Sequence, residues 1–164
     1  KLNSPGPVLY RQARHGFNQR TFTILKFRSM TQSGSTGDFR QATRGDARVT
    51  SVGRFIRRTS IDELPQLWNV LMGDMSLVGP RPHAIAHNNE FMTRIADYAR
   101  RHHVKPGITG WAQVNGYRGE TDTEEKMRHR VQFDQAYIDR WSLMFDIKIV
   151  LLTVLSRKTY RNAF

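Results

Sequence analysis

The fold turns on one stretch near the N-terminus: Val8-Leu9-Tyr10-Arg11-Gln12-Ala13-Arg14, then His15-Gly16-Phe17-Asn18-Gln19, then Thr21-Phe22-Thr23-Ile24-Leu25-Lys26-Phe27-Arg28. Apolar and polar residues alternate on both sides of a short Gly- and Asn-containing break. A period of two with a turn signal between the runs predicts two strands, 8–14 and 21–28, joined as a hairpin. The alternation also gathers the basic side chains on one face of each strand. Everything downstream has a helical period or is loop-like. The fold class is therefore α+β: a mainly helical small domain with an N-terminal β-hairpin.

Outward from the hairpin, Ser4-Pro5-Gly6-Pro7 reads as an extended entry or turn. Residues 31–46 are rich in Gly, Ser, Thr and Gln and nearly free of apolar side chains, which predicts a mobile loop or lid. Ser51–Arg58 reads as a short basic helix. Ser60-Ile61-Asp62-Glu63 has the spacing of a capping box, although Pro65 would interrupt a helix begun at Ser60. The alternative is a helix starting at Pro65 and running to about Met72. Two prolines stiffen Gly79-Pro80-Arg81-Pro82 around one arginine. A helix is expected over 83–98, a Gly-rich loop with buried aromatics over 104–119, and a helix over 121–141 capped by Thr121 or Asp122. Met127, Val131, Asp134/Gln135, Ile138 and Trp141 trace its period. Leu143–Leu155 reads as a last helix, apolar-faced and with basic residues near its end, an amphipathic candidate for a membrane interface.

The chain has 164 residues, one domain's worth, with 26 Lys and Arg against 14 Asp and Glu, a net charge of +12. It contains no cysteine, which excludes disulfides and thiolate metal sites. No signal peptide and no apolar stretch of membrane-spanning length is present. The charge is uneven: +10 over residues 1–60, −3 over 61–99 and +5 over 100–164. Such a surplus points to anionic partners, whether nucleic acid, an anionic membrane surface or phosphorylated substrates.

Asp62-Glu63 is the strongest local candidate for chemistry. Two carboxylates near the start of a helix, preceded by Arg57 and Arg58, are expected to stay ionised, which suits a nucleophile or a ligand for Mg²⁺. Arg81, held between prolines, is a pre-oriented cation for a base or a phosphate. Lys105-Pro106-Gly107-Ile108-Thr109-Gly110-Trp111 and Asn115-Gly116-Tyr117-Arg118-Gly119 place glycines beside cations without forming a Walker A loop or a dinucleotide fingerprint. His102 and His103 are adjacent and poorly spaced for one metal. No zinc-protease, nucleophile-elbow, RNA-recognition or zinc-finger signature occurs.

Taken in order, these motifs resemble a known family. They are Ser4-Pro5-Gly6-Pro7, Arg11-Gln12-x-Arg14-x-Gly16, Lys26-Phe27-Arg28-Ser29-Met30, Arg57 to Val70 around Asp62-Glu63, Gly73 to Pro82, and Lys105 to Gly116. The string is similar to the bacterial sugar transferases, the monotopic polyprenyl-phosphate phosphoglycosyl transferases. Tyr117 to Asp122 and the terminal Arg161-Asn162-Ala163-Phe164 look most like the undecaprenyl-phosphate hexose-1-phosphate transferases of exopolysaccharide synthesis.

The resemblance implies a single catalytic domain over 1–164, with a membrane segment expected upstream of Lys1. It implies transfer of a hexose-1-phosphate from a UDP-sugar to polyprenyl phosphate, with release of UMP, at the cytoplasmic face of the bacterial inner membrane. Asp62 maps to the nucleophile, Glu63 to its metal or proton partner, and both to an Mg²⁺ site. Lys26, Arg57, Arg81 and Arg118 map to substrate binding, Arg81 through the motif associated with uracil. The partners implied are the UDP-sugar, the lipid phosphate and an anionic membrane surface, with no nucleic acid. The competing readings are a non-enzymatic nucleic-acid or anionic-surface binder, and a phosphohydrolase or nucleotidyl transferase using the same dyad.

Overall fold

A computed structural model describes residues 4–31, 43, 45–119 and 123–155. The hairpin forms as expected. Strand β1 (Leu9–His15) pairs antiparallel with β2 (Thr21–Phe27), in register from Leu9↔Phe27 to His15↔Thr21. The connection closes through a 3₁₀ turn, Phe17–Gln19, with Asn18 and Gln19 at positive φ. With side chains alternating, Tyr10, Gln12 and Arg14 share one face with Phe22, Ile24 and Lys26, and Arg11 lies on the other. The expectation that β1 gathers its basic side chains on one face is thus corrected: residues three apart on a strand point opposite ways. Arg28 pins the entry turn by donating to the carbonyls of Ser4, Pro5 and Pro7 and to Ser4 Oγ, at 2.6–2.8 Å.

The helix α1 (Ser51–Arg58) has the expected bounds, and Thr50 caps it by accepting from Gly53 N at 2.9 Å. Gly53 lies against the main-chain carbonyl of Ser29, where a Cβ would collide, so α1 packs directly on the chain leaving β2. The capping-box reading of Ser60 is corrected. Ser60 is left-handed (φ 60°), makes no side-chain cap and ends α1, its N–H donating to Arg57 O at 3.1 Å. A 3₁₀ turn, Ile61–Glu63, follows, and Pro65 caps α2 (Gln66–Leu71). The proline ring, with no N–H to give, prevents one continuous helix from 60 onward. Asn69 of α2 then closes the free edge of β2. Its amide donates to Thr23 O at 2.8 Å and accepts from Leu25 N at 3.1 Å, as a third strand would.

The segment 104–119 is more ordered than a loop. It contains β4 (Gly107–Thr109), parallel to β3 (Ser76–Val78), and a one-turn helix α4 (Trp111–Val114). The crossing is tight: a Cβ on Gly79, Gly107 or Gly110 would run into main-chain atoms of the other segment. The expected helix over 83–98 is shorter. Helix α3 is Ile85–Arg94, because Ala84 stays extended to bridge with Arg14 of β1. Ile95 turns extended, Asp97 is left-handed, and Tyr98–His103 continue as 3₁₀. Helix α5 (Glu124–Asp139) is capped by Thr123, which accepts from Lys126 N. The expected caps Thr121 and Asp122, and residues 32–42 and 44 of the expected loop, lie outside the described residues.

The core has two clusters with α5 running through both. One is Phe91, Ile95, Tyr98, Met127 and Val131; the other is Val78, Val114, Tyr137 and Ile149, backed by Trp111, Phe145 and Leu152. Each buried side chain of this size contributes about 1.5–3 kcal/mol. Tyr137, rather than the exposed Trp141, completes the inner stripe of α5. Helix α6 (Leu143–Leu155) has the expected bounds. Its inner face seats Ile149, while Leu143, Met144, Leu151, Val154 and Leu155 are left exposed. The outer side of α2 is similar, with Trp68, Leu71 and Met72 in solvent. Among the described residues, no helix is long and apolar enough to cross a membrane.

Candidate active site

The dyad sits where four chain segments converge. Lys26 arrives from β2, Asp62 and Glu63 from the 3₁₀ turn, Arg81 from the loop after β3, and Arg118 from the segment after α4. Glu63, 7 % exposed, is the hub. Lys26 Nζ lies 2.9 Å from its Oε1, Arg81 grips both of its oxygens, and Arg118 Nη2 is 3.5 Å from Oε2 while donating to Ser60 Oγ at 2.7 Å. Burial alone would push the Glu63 carboxyl up. The charges of Arg81 and Lys26, the Arg81 hydrogen bonds and Arg118 outweigh it and hold Glu63 well below the usual range.

Asp62 is almost equally buried but is differently placed. A 3₁₀ turn advances about 120° per residue, so neighbouring side chains leave it in different directions. Asp62 makes no hydrogen bond or ion pair among the described residues. Burial and the adjacent Glu63 raise its pKa, opposed by Lys26, Arg57 and Arg81. The expectation that both carboxylates are held in the ionised form is thus met by Glu63 and resisted at Asp62. Arg57, on α1, bears on Asp62 by charge and also contacts Met30 Sδ at 3.6 Å. The six residues expected to form the site are therefore brought together.

Behind the arginines lies a cluster that sequence reasoning missed. Arg101 donates through Nε to Asp134 Oδ2 (2.8 Å), through Nη1 to Tyr98 Oη (3.0 Å) and through Nη2 to the main-chain carbonyl of Arg81 (2.7 Å). Tyr98 passes its own proton to Asn88 Oδ1 at 2.7 Å. Arg130 donates to Gly119 O at 2.7 Å, next to Arg118, and its Nη1 lies 3.2 Å from His83 Nε2. His83 is buried among them. Desolvation, then the charges of Arg101 and Arg130, push its pKa well below normal, so it is neutral. The backbone at both site arginines is thus tied to a buried polar layer. One signal was visible in the sequence: Asp134 is an acid on the apolar stripe of α5, a position that requires a buried partner.

His102 turns to Gly16 O at 3.3 Å, and no cluster of three or more His, Asp or Glu is placed to hold a metal among the described residues. An open groove of about 550 Å³, lined by Arg11, Thr23, Leu25, Trp68 and Met72, lies on the other face of the hairpin from Lys26 and contains neither dyad residue. The donor set at the dyad fits Mg²⁺ in one form, a carboxylate ligand supplemented by substrate phosphates. Asp62 has oxygens to offer it, whereas both Glu63 oxygens are taken by cations.

A carboxylate with no hydrogen-bond or ion-pair partner among the described residues, set among cations, has the charge pattern that suits phosphate groups, and the sequence that builds it matches a known family. The chain belongs to the bacterial sugar transferase family, whose profile matches residues 1–159. It is 60 % identical over 154 residues to the UDP-glucose:undecaprenyl-phosphate glucose-1-phosphate transferase of Escherichia coli, covering 94 % of this chain and 33 % of that protein. The protein of the same name from Caulobacter vibrioides is 57 % identical, over 100 % of this chain and 61 % of its own length. A UDP-N-acetylgalactosamine-undecaprenyl-phosphate N-acetylgalactosaminephosphotransferase of Aeromonas hydrophila is 48 % identical, over 94 % of this chain and 36 % of its own. The chain thus spans about a third of the Escherichia coli and Aeromonas relatives and under two thirds of the Caulobacter one.

Proposed function

We propose that this chain is the catalytic part of an enzyme that moves a hexose-1-phosphate from a UDP-sugar to undecaprenyl phosphate. The observation that carries this reading is the split dyad: Glu63 is engaged by three cations, while its neighbour Asp62 has no hydrogen-bond or ion-pair partner among the described residues. In the proposed reaction an Asp62 carboxylate oxygen attacks the phosphorus attached to the sugar. The bond to the bridging oxygen breaks, and UMP leaves with the electron pair. The phosphosugar is held as an acyl phosphate until an oxygen of the lipid phosphate attacks the same phosphorus and frees the Asp62 carboxylate. The carboxylate is regenerated at the end of the cycle, and the upward push on its pKa from burial and Glu63 raises its basicity as a nucleophile.

Two anionic substrates must approach an anionic side chain. Lys26, Arg57, Arg81 and Arg118 offset that repulsion, and Glu63 holds three of them in place. Mg²⁺, with Asp62 as its protein ligand and Glu63 beside it, would supply Lewis-acid polarisation of the phosphates. The rival reading of a nucleic-acid binder needs cations arrayed outward along a surface, and here the site cations turn inward onto Glu63. The exposed apolar sides of α2 and α6 suit contact with lipid at the cytoplasmic face of the inner membrane, where a UDP-sugar and a lipid phosphate meet.

Incubation with UDP-glucose or UDP-galactose and Mg²⁺, followed by intact-mass measurement, tests the reading. A mass gain of one phosphohexose is expected, absent in Asp62→Asn and discharged by a short-chain polyprenyl phosphate. Absence of both adduct and UMP release from the folded protein in detergent micelles with the lipid phosphate present would overturn it.

A further inference from the structure

One cation of this region has no ion pair with a carboxylate among the described residues. Arg14 lies on β1, on the face it shares with Lys26, and its backbone bridges to Ala84, three residues beyond Arg81. Among the described residues its side chain makes one hydrogen bond, from Nη2 to Gln12 Oε1, a neutral amide on the same strand. Its Nε is shut off from water without a partner, and Nη1, also without a hydrogen bond, keeps its access to solvent. The charges acting on it include that of Arg81, which repels it, and that of Glu63, whose oxygens are already engaged by Lys26, Arg81 and Arg118. Burial and Arg81 pull its pKa down to about 10. A half-buried guanidinium beside a second one is costly in the free protein, since buried charges are normally paired. Five cations, Arg14, Lys26, Arg57, Arg81 and Arg118, thus stand around two carboxylates.

We propose that Arg14 is a phosphate-binding residue of this site, held unpaired beside Arg81 so that a substrate phosphate completes it. The inference rests on the transferase reading and adds a residue to it. The planar fork of an arginine matches phosphate oxygens, and the open Nη1 is the donor for one of them. Two sources carry this chemistry, the diphosphate of the sugar nucleotide and the phosphate of the lipid acceptor.

The role separates from a structural one by sign. A structural arginine stabilises the fold, so its removal lowers the melting temperature. An unpaired arginine kept for a ligand costs stability, so Arg14→Met, which retains the aliphatic stem, is expected to melt at or above the wild-type temperature. Affinity is read with UDP, with uridine as the phosphate-free control, and with a short-chain polyprenyl phosphate in micelles. For UDP, roughly a tenfold to hundredfold loss is expected in Arg14→Met, the range of a hydrogen bond between charged groups, with uridine changed less than about twofold. Arg14→Lys, which keeps the charge without the fork, is expected to lose several-fold and carries the test if Arg14→Met does not fold. A loss confined to the lipid phosphate upholds phosphate binding and assigns it to the acceptor. Unchanged affinity for both phosphates, or a parallel loss for uridine, overturns the proposal. A wild type that forms the phosphohexose adduct while its Arg14 variants keep both affinities refutes Arg14 alone, whereas a wild type binding neither phosphate refutes the transferase reading with it.

Discussion

Two charged clusters lie back to back in this domain, and they are built on opposite terms. At the front, around Asp62 and Glu63, one carboxylate and one guanidinium make no ion pair among the described residues. At the back, the Arg101–Asp134 pair is under 5 % exposed and tied to Tyr98, Asn88 and the Arg81 backbone, leaving the Arg130 Nε as its loose end. The closed cluster is scaffolding: its bonds are spent on holding itself and the loops of Arg81 and Arg118. The open cluster leaves bonding capacity unused, which the proposed function assigns to substrate phosphates. A protein can hold unpaired charge in one place only if something rigid stops the surroundings from collapsing onto it, and the back cluster supplies that rigidity.

The sharpest way to break this contrast is at Asp62. If the front cluster is open for function, Asp62→Asn lowers transfer by roughly 10³-fold or more and leaves the melting temperature unchanged or higher, read by turnover and calorimetry on one preparation. The sign follows from the shift. A carboxyl whose pKa is raised on folding stabilises the protein below about pH 3.8 and loses that contribution as pH rises through its folded value. Glu63, shifted the other way, stabilises above about pH 4.5 and loses its contribution on acidification, so the two neighbours have opposite pH slopes.

The second test is at the back. Arg101→Met strands Asp134 and frees the Arg81 carbonyl, and is expected to cost about 3–5 kcal/mol of stability, on the order of 10 °C in melting temperature. Activity should fall with it. A variant that melts normally yet loses turnover would place Arg101 in the front cluster and erase the distinction.

The third and smallest effect is a pH slope. His83 and His102 are buried, and their pKa values are lowered, His102 to about 4, by desolvation and then by Arg101. The unfolded chain takes up these protons first, so stability should decline from about pH 6.5 downward. His102→Asn should flatten the decline between pH 6.5 and about 4, and an unchanged slope would assign it to His83 and the carboxylates instead.

Local patterns made much of this legible. The alternation in 8–28 specified the hairpin to within a residue at each end, and α1 and α6 appear with the expected bounds. The dyad and its four cations were visible as motifs. What stayed hidden depended on partners far along the chain. Strands β3 and β4 are three residues each and pair across about thirty, so neither leaves a periodic trace. Arg101 and Asp134 are 33 residues apart, and neither neighbourhood announces the other. At Ser60 the spacing of a capping box was present, but the end of α1 claimed the residue first. The outer face of α6 carries apolar side chains where a helix turned to water carries charge.

The glycines at the β3–β4 crossing bear on how this site could be re-engineered. With no room for a single methyl between Gly79 and the segment 107–110, and with Gly107 N donating to Pro80 O at 3.0 Å, the Arg81 loop is moulded on a stretch of chain some thirty residues away. Its shape belongs to two segments jointly. Grafting 79–82 alone from a relative would transplant a lock without its key; the unit of exchange is the pair, 76–82 with 105–110.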